Sequence, residues 1–114
     1  MGKKDELHLL FNRIVGSELT RFREEKDFVQ EDFARMSGEH RQWISRIETG
    51  KTTPGLYKFF QYTIATGIDI IEVVKSIRDE FVKETKPIMK AAEEAKYRKY
   101  LEQAKKKRSR KAEG

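Results

Sequence analysis

Apolar residues in the first quarter of the chain recur every three or four positions, which places them on one face of an α-helix. They are Leu7, Leu10, Phe11, Ile14, Val15, Leu19 and Phe22. This spacing predicts a helix over residues 5–26. Gly16 lies inside the helix and is expected to kink it or divide it in two.

A tight turn is predicted between the next two helices, which cover residues 30–36 and 41–48. Gly38 lies between them, where the chain must bend sharply, and glycine adopts a positive φ without steric cost. Ala34 lies one turn earlier and is small enough for two helix backbones to cross closely. The pattern therefore predicts two short, closely crossing helices.

The helix over 41–48 has two chemically different faces. Ile44 and Ile47 are three residues apart and share one face, which is suited to packing on a core. Its other faces carry Arg41, Gln42, Ser45 and Arg46. Arginine pairs bidentately with guanine and glutamine with adenine, so this pattern is typical of a helix that lies in the DNA major groove.

Two further helices are predicted after Pro54. The first covers 56–66 and ends at Gly67, with inward residues expected to be Leu56, Phe59, Phe60 and Ile64. The next begins at Asp69 as an N-cap, with Glu72 three residues later, and continues to about Lys83. Its apolar residues are Val73, Val74, Ile77 and Phe81.

Pro87 cannot continue a helix but suits the first turn of a new one. Residues 87–107 have high helix propensity and little amphipathic character, which predicts a marginal, projecting helix. Residues 105–114 are expected to be disordered. The fold class predicted for the whole chain is all-α.

Residues 16–73 resemble the helix-turn-helix domain of the Cro/C1-repressor family, also called the XRE family. The matching residues, at the family's spacing and without a gap, are Gly16, Leu19, Phe22, Arg23, 29–34, Gly38, 44–50, Pro54, Leu56, Ala65 and Gly67. The resemblance covers about half the chain. It implies a five-helix, lambda-repressor-like helix-turn-helix domain that binds double-stranded DNA.

The resemblance also implies roles for individual residues. Gln30 would touch a phosphate and brace the reading helix, and Arg41 and Gln42 would read bases. Arg46 would face the groove one turn further on, and Ser45 would contact a phosphate or a base. Trp43 would press on the DNA or, as we prefer, pack partly on the core. Lys51, Thr52 and Thr53 would follow the phosphate backbone.

A further pair of residues, Arg23 and Glu48, would bridge the first helix to the end of the third. The sequence also departs from the family at three positions. Val29 and His40 stand where the family usually has N-capping Ser or Thr, and Glu39 stands where the turn usually has an apolar residue. We expect His40 to serve as an improvised cap or as a phosphate donor.

The net charge of +6 is unevenly distributed. Residues 1–84 carry 14 basic and 15 acidic residues, whereas residues 85–114 carry 11 and 4. A positive cluster in the domain would come from Arg41, Arg46, Lys51 and Lys58. The basic run over 105–111 is expected to contact nucleic acid electrostatically.

The sequence gives no support for an enzyme, a cofactor site or a metal site. It has no cysteine, and its two histidines, His8 and His40, have no ligand-like neighbours. No apolar run is long enough to span a membrane, and no signal peptide precedes the domain. We therefore expect a cytoplasmic protein that is nucleoid-associated when bound to DNA.

The predicted organisation is an N-terminal helical extension over 1–15, a DNA-binding domain over 16–84, a marginal charged helix over 85–104 and a basic tail over 105–114. The extension either packs back on the domain, which we favour, or meets another subunit. The predicted function is that of a repressor-like transcriptional regulator that binds as a homodimer.

Two alternatives remain open. One is an antitoxin that represses its own operon and holds a toxin. The other is a coactivator-like interaction module that contacts the transcription machinery and binds nucleic acid without sequence preference.

Overall fold

The computed structural model describes residues 3–113, and within them the side chains of residues 5–87 and 90–110. Five α-helices and no strand are found in that range. They are α1 (Lys3–Glu25), α2 (Gln30–Ser37), α3 (Arg41–Glu48), α4 (Leu56–Thr66) and α5 (Ile70–Glu113). The all-α prediction is confirmed, and the bounds of α2, α3 and α4 agree with the sequence pattern to within one residue.

The chain divides into two compact units. The first unit covers Met1–Phe81 and the second covers Val82–Gly114. In the first unit α3 packs against α1 and α2, and α2 also packs against α4. The core of this unit consists of Ile14, Val15, Leu19, Phe33, Ala34, Ile44, Ile47, Phe59, Tyr62, Ile68, Val73 and Ile77.

The N-terminal extension packs back on the first unit, as we favoured. Ile14 is buried, and Leu10 and Phe11 pack against the core. The ring of Phe11 meets that of Phe81 edge to face, with centroids 5.3 Å apart. α1 is therefore part of the domain's own packing.

α1 is continuous across Gly16, so the division expected at this residue is not observed. A Cβ atom on Gly16 would lie 2.3 Å from the carbonyl oxygen of Ile47 and 2.7 Å from that of Glu48. Both contacts are shorter than real Cβ contacts allow. Glycine is therefore required here because α1 crosses the end of α3 at very short range, and not because the helix breaks.

The inward face of α4 differs from the prediction. Only Phe59 of the four expected residues is buried, whereas Leu56 and Ile64 are 73% and 76% exposed and Phe60 is also exposed. The buried residues are Phe59, Tyr62, Thr63 and Thr66. The buried threonine hydroxyls donate to carbonyl oxygens one turn earlier, Thr63 to Phe59 at 2.9 Å and Thr66 to Tyr62 at 2.7 Å. Because their polar atoms are satisfied within the helix, these threonines can face the core.

α5 begins where the sequence predicts but continues much further. Asp69 caps it, with its carboxylate accepting a hydrogen bond from the Ile71 N–H at 2.9 Å. The helix runs through Pro87 to Glu113, so the break expected at Pro87 is wrong. Of the disorder expected over 105–114, residues 105–113 are helical instead, and residue 114 lies outside the described residues. Pro87 and Lys83 are exposed, so water can satisfy the Lys83 carbonyl that proline leaves without an N–H partner. The Ala, Glu and Lys residues that follow favour continued helix.

Candidate nucleic-acid interface

The turn between α2 and α3 has the geometry that the glycine predicts. Gly38 adopts φ 72° and ψ 20°, in the left-handed region. The N–H of Glu39 donates to the carbonyl of Ala34 at 2.9 Å, which closes the end of α2. A residue with a Cβ would be strained here, so the turn depends on glycine.

α3 presents one apolar and one polar face. Ile44 and Ile47 are buried in the core, while Arg41, Gln42 and Arg46 are exposed and Ser45 is partly exposed. Four predicted contact residues are thus brought together on the outward side of one helix, and the opposite side is held by the core.

Thr49 is also exposed, one turn after Ser45, and was not among the predicted contact residues. Because Thr49 follows Arg41 and Ser45 at intervals of four residues, helical spacing places it on the same face of α3. Its hydroxyl donates to the Ser45 carbonyl at 2.8 Å and so closes the end of α3.

Trp43 lies between the two faces of α3. It is partly buried and packs against the core. Its ring meets that of Tyr62 edge to face, with centroids 6.2 Å apart. The partial packing that we preferred from sequence is confirmed, so Trp43 links α3 to α4.

An ion pair fixes the end of α3 to α1. The Arg23 guanidinium donates to the Glu48 carboxylate through Nε, 3.0 Å from each oxygen, and through a terminal nitrogen, 2.7 Å from Oε1. The other terminal nitrogen donates to the Phe28 carbonyl at 2.6 Å. The Thr20 hydroxyl lies 3.0 Å from Glu48 Oε1. These contacts show the predicted Arg23–Glu48 bridge, and hydrogen bonding to Glu48 raises the pKa of Arg23.

Tyr62 is the buried neighbour of this bridge. Burial raises the pKa of its phenol, and the nearby Glu48 carboxylate adds to the effect. Among the described residues, its hydroxyl has no hydrogen-bond partner. Tyr62 is therefore held in its neutral form.

The N-termini of α2 and α3 lack side-chain caps. Val29 precedes α2, and its N–H donates to the Asp32 carboxylate at 3.0 Å. His40 precedes α3 and forms no cap hydrogen bond, so the improvised cap is wrong, and the phosphate contact stays a prediction. Gln30 is the first residue of α2 and is partly exposed.

The loop after α3 lies close to the end of that helix. The N–H of Lys51 donates to the Arg46 carbonyl at 2.9 Å, so the loop begins as a direct continuation of α3. The Lys51 side chain is exposed, and Thr52 and Thr53 are partly exposed.

Lys58 is not a free positive charge. Its ammonium group forms an ion pair with the carboxylate of Glu39, the turn residue that departs from the family pattern. Of the four residues expected to form a positive cluster, Lys58 is therefore paired with a carboxylate, while Arg41, Arg46 and Lys51 are exposed. The sequence does carry a signal for this contact, namely an acidic residue between α2 and α3 and a basic residue in the first turn of α4.

The described part of the chain contains no group of three or more His, Cys, Asp or Glu residues placed to hold a metal ion. Likewise, no helix in that part is both long and apolar enough to cross a membrane.

Comparisons with known proteins point to one family. Residues 19–73, which include α2, α3 and α4, match the family model described as "Helix-turn-helix". The chain is also similar to a protein of Sinorhizobium fredii (strain NBRC 101917 / NGR234) named "Uncharacterized HTH-type transcriptional regulator y4dJ". The two are 32% identical over 62 residues, which are 54% of this chain and 80% of the relative.

Proposed function

Because this chain belongs to the Cro/C1-repressor (XRE) family of helix-turn-helix proteins, we propose that it is a sequence-specific, repressor-like transcriptional regulator that reads double-stranded DNA with α3. The name of its relative in Sinorhizobium fredii supports a role in transcription regulation. The proposed action is occupancy of an operator, which excludes other proteins from the same DNA.

The observation that carries this proposal is the two-faced character of α3. Its apolar face is buried, and its outward face carries the guanidinium, amide and hydroxyl groups of Arg41, Gln42, Ser45 and Arg46. Arg41 and Gln42 lie in its first turn, the part of a reading helix that enters the major groove deepest in this class of motif. Their side chains offer the bidentate donors and acceptors that distinguish guanine and adenine.

The anchoring of α3 supports the same proposal. A helix that reads bases must be held in a fixed orientation, since a small displacement breaks bidentate hydrogen bonds. The Arg23–Glu48 bridge fixes its C-terminal end to α1, and Trp43 fixes its N-terminal half to Tyr62 of α4. Neither contact uses a side chain of the outward face.

The phosphate contacts among the remaining predicted residues would position the domain without carrying sequence information. We propose that Gln30 and the loop residues Lys51, Thr52 and Thr53 contact phosphates, and that Arg46 and Ser45 lie in the groove beside Arg41. Their exposure or partial exposure is consistent with these roles. Phosphate contacts of this kind set register and orientation.

Selection of bound sequences from a random pool of duplex DNA tests the proposal. The full chain should enrich one short motif over successive rounds. A variant carrying Arg41→Ala and Gln42→Ala should lose or change that motif. Recovery of sequences indistinguishable from the starting pool by the wild-type chain would refute the proposed function.

A further inference from the structure

The positive charge of this protein is concentrated in one short segment. Residues 96–110, here called the basic segment, contain eight basic residues and one acidic residue, Glu102. The segment therefore has a net charge of +7, while the chain as a whole has +6. All the other residues together are close to neutral, with a net charge of −1.

The basic segment lies in the helical second unit, and its charged groups are open to solvent. Every side chain from 96 to 110 is exposed except Ala104, which is partly exposed. Among the described residues, every ion pair lies in the first unit, so none neutralises the basic segment. In the first unit, by contrast, Arg21, Arg23 and Lys58 are paired with carboxylates.

The donors of the basic segment surround the helix. Lys105–Arg108 are four consecutive cations, and consecutive helical residues point in directions about 100° apart. Tyr97 and Tyr100, which are 65% and 66% exposed, add hydroxyl donors beside Lys96, Arg98 and Lys99. Such an arrangement has no single face that could select one base pattern. It suits a partner with closely spaced negative charge along its length.

We propose that the basic segment is a second DNA-binding surface, which binds the sugar–phosphate backbone of the same duplex that α3 reads. This inference rests on the proposed function, because a chain bound to DNA through α3 would tether its own basic segment. Binding of the second surface then becomes intramolecular, at a high effective concentration of phosphate. Duplex DNA carries one negative charge per about 1.7 Å of axis, which complements a segment with a charge of +7.

The two units would have different roles in DNA binding. The first unit, with little net charge, supplies base readout, whereas the second supplies affinity that is independent of sequence. Each phosphate neutralised releases counterions, so log affinity should fall with log salt by about 0.9 per contact. The basic segment should therefore set most of the salt dependence of binding.

The test compares two full-length variants with the same change in charge. The first carries Lys105→Gln, Lys106→Gln and Lys107→Gln, and the control carries Lys26→Gln, Arg35→Gln and Lys75→Gln on exposed positions of the first unit. Glutamine keeps nearly the same helix propensity, and circular dichroism should show unchanged helix content in both. Each protein is titrated over a range of salt concentrations against the preferred duplex, a shuffled duplex and an RNA hairpin.

On both duplexes, the basic-segment variant should have a salt slope that is shallower by up to about 2.7, the value for three phosphate contacts. The control should keep the wild-type slope, and the preferred sequence should stay the same. Equal slopes for the wild type and the basic-segment variant on duplex DNA would overturn the inference. So would a change confined to the RNA hairpin. A wild-type chain that binds both duplexes equally would instead refute base reading by α3, while the slopes still report on the segment.

Discussion

Tyr62 joins the core of the first unit to α3. Its ring meets Phe33 edge to face, with centroids 5.2 Å apart, and meets Trp43 on α3 in a similar arrangement. Its hydroxyl is buried near Glu48, and burial raises the pKa of the phenol. This residue therefore contributes to stability mainly through its ring, and its hydroxyl carries a cost.

Tyr62→Phe should leave the free energy of unfolding unchanged or raise it slightly at neutral pH, because the buried hydroxyl has no partner among the described residues. The pH dependence should also change. In the unfolded chain the phenol ionises at about pH 10, while the folded state keeps it neutral. Wild-type stability should therefore fall above about pH 10, by up to about 1.4 kcal/mol per pH unit from this group.

Chemical denaturation at a series of pH values, with wild type and Tyr62→Phe measured together, checks this expectation. The difference between the two proteins isolates the contribution of Tyr62, because every other titratable group is common to both. Parallel stability profiles above pH 10 would show that the phenol is not held neutral in the fold.

At the scale of the helices, the approach of α1 to α3 depends on the absence of a side chain at residue 16. Gly16→Ala would place Cβ against the carbonyl oxygens of Ile47 and Glu48, which are backbone atoms and cannot turn away. The variant should lose about 1–3 kcal/mol of stability or more, despite the gain in helix propensity of about 1 kcal/mol.

Gly55→Ala is the matched control for that variant. Residue 55 has φ −65°, and nothing lies within 4 Å of a Cβ built there. Reduced entropy of the unfolded chain and the weaker N-cap preference of alanine oppose each other. We expect a change of no more than about 1 kcal/mol. Equal effects of the two substitutions on thermal unfolding would contradict the close-approach explanation.

The Arg23–Glu48 bridge offers a second comparison between elements. Glu48→Gln would leave the Arg23 guanidinium buried without a counter-charge, which should cost about 3–5 kcal/mol. Glu25→Gln removes the partner of Arg21 at the surface, where the Glu25 side chain is 58% exposed. That change should cost less than about 1 kcal/mol. Urea denaturation measures the free energy of unfolding of both variants. Similar losses of stability would show that the bridge is not a buried pair.

The sequence predicts short helices well where glycines and apolar spacing agree. The bounds of α2 and α3 follow from Gly38 and from the spacing of Ile44 and Ile47. The core face of α4 could not be predicted from hydropathy, because threonines that hydrogen-bond within the helix face inward while Leu56 and Ile64 face solvent. Tertiary packing decides which of these side chains are exposed, and the local hydropathy pattern carries no information about that packing.

Side-chain partners across elements were predicted only where the family pattern supplied them. The Arg23–Glu48 bridge came from the resemblance, whereas the pairing of Lys58 with Glu39 was missed because the family has an apolar residue in the turn. The length of α5 could not be predicted, because Pro87 indicates a helix boundary although the residues around it favour helix. A single lost hydrogen bond at an exposed position is compatible with a long helix.

At the scale of the whole molecule, we propose that the protein binds DNA as a two-fold dimer. One reading helix spans only a few base pairs, and two half-sites about 34 Å apart would double the information read. The interface would lie away from Phe81 and Phe11, which pack together within the first unit. Ile71 and Val74 of α5 remain exposed, Ile71 at 75%.

Ile71→Asp should weaken self-association without unfolding the protein, because the side chain is solvent-exposed in the single chain. Leu9→Asp, which introduces the same charge at an exposed position on α1, serves as the control. Sedimentation equilibrium with and without DNA measures the assembly state. A wild-type monomer on DNA at micromolar concentration, with a preferred site that has no inverted repeat, would contradict the dimer.

Base reading by the first turn of α3 is the central claim, and comparing the affinities of single variants for two duplexes tests it most directly. Arg41→Ala and Gln42→Ala, titrated at one fixed salt concentration, should each lose about 1–3 kcal/mol on the preferred duplex and much less on a shuffled one. Lys75→Ala, an exposed cation on α5, should change both affinities little. Equal losses on the preferred and shuffled duplexes would show that Arg41 and Gln42 contact only the backbone, and would contradict the claim that α3 reads bases.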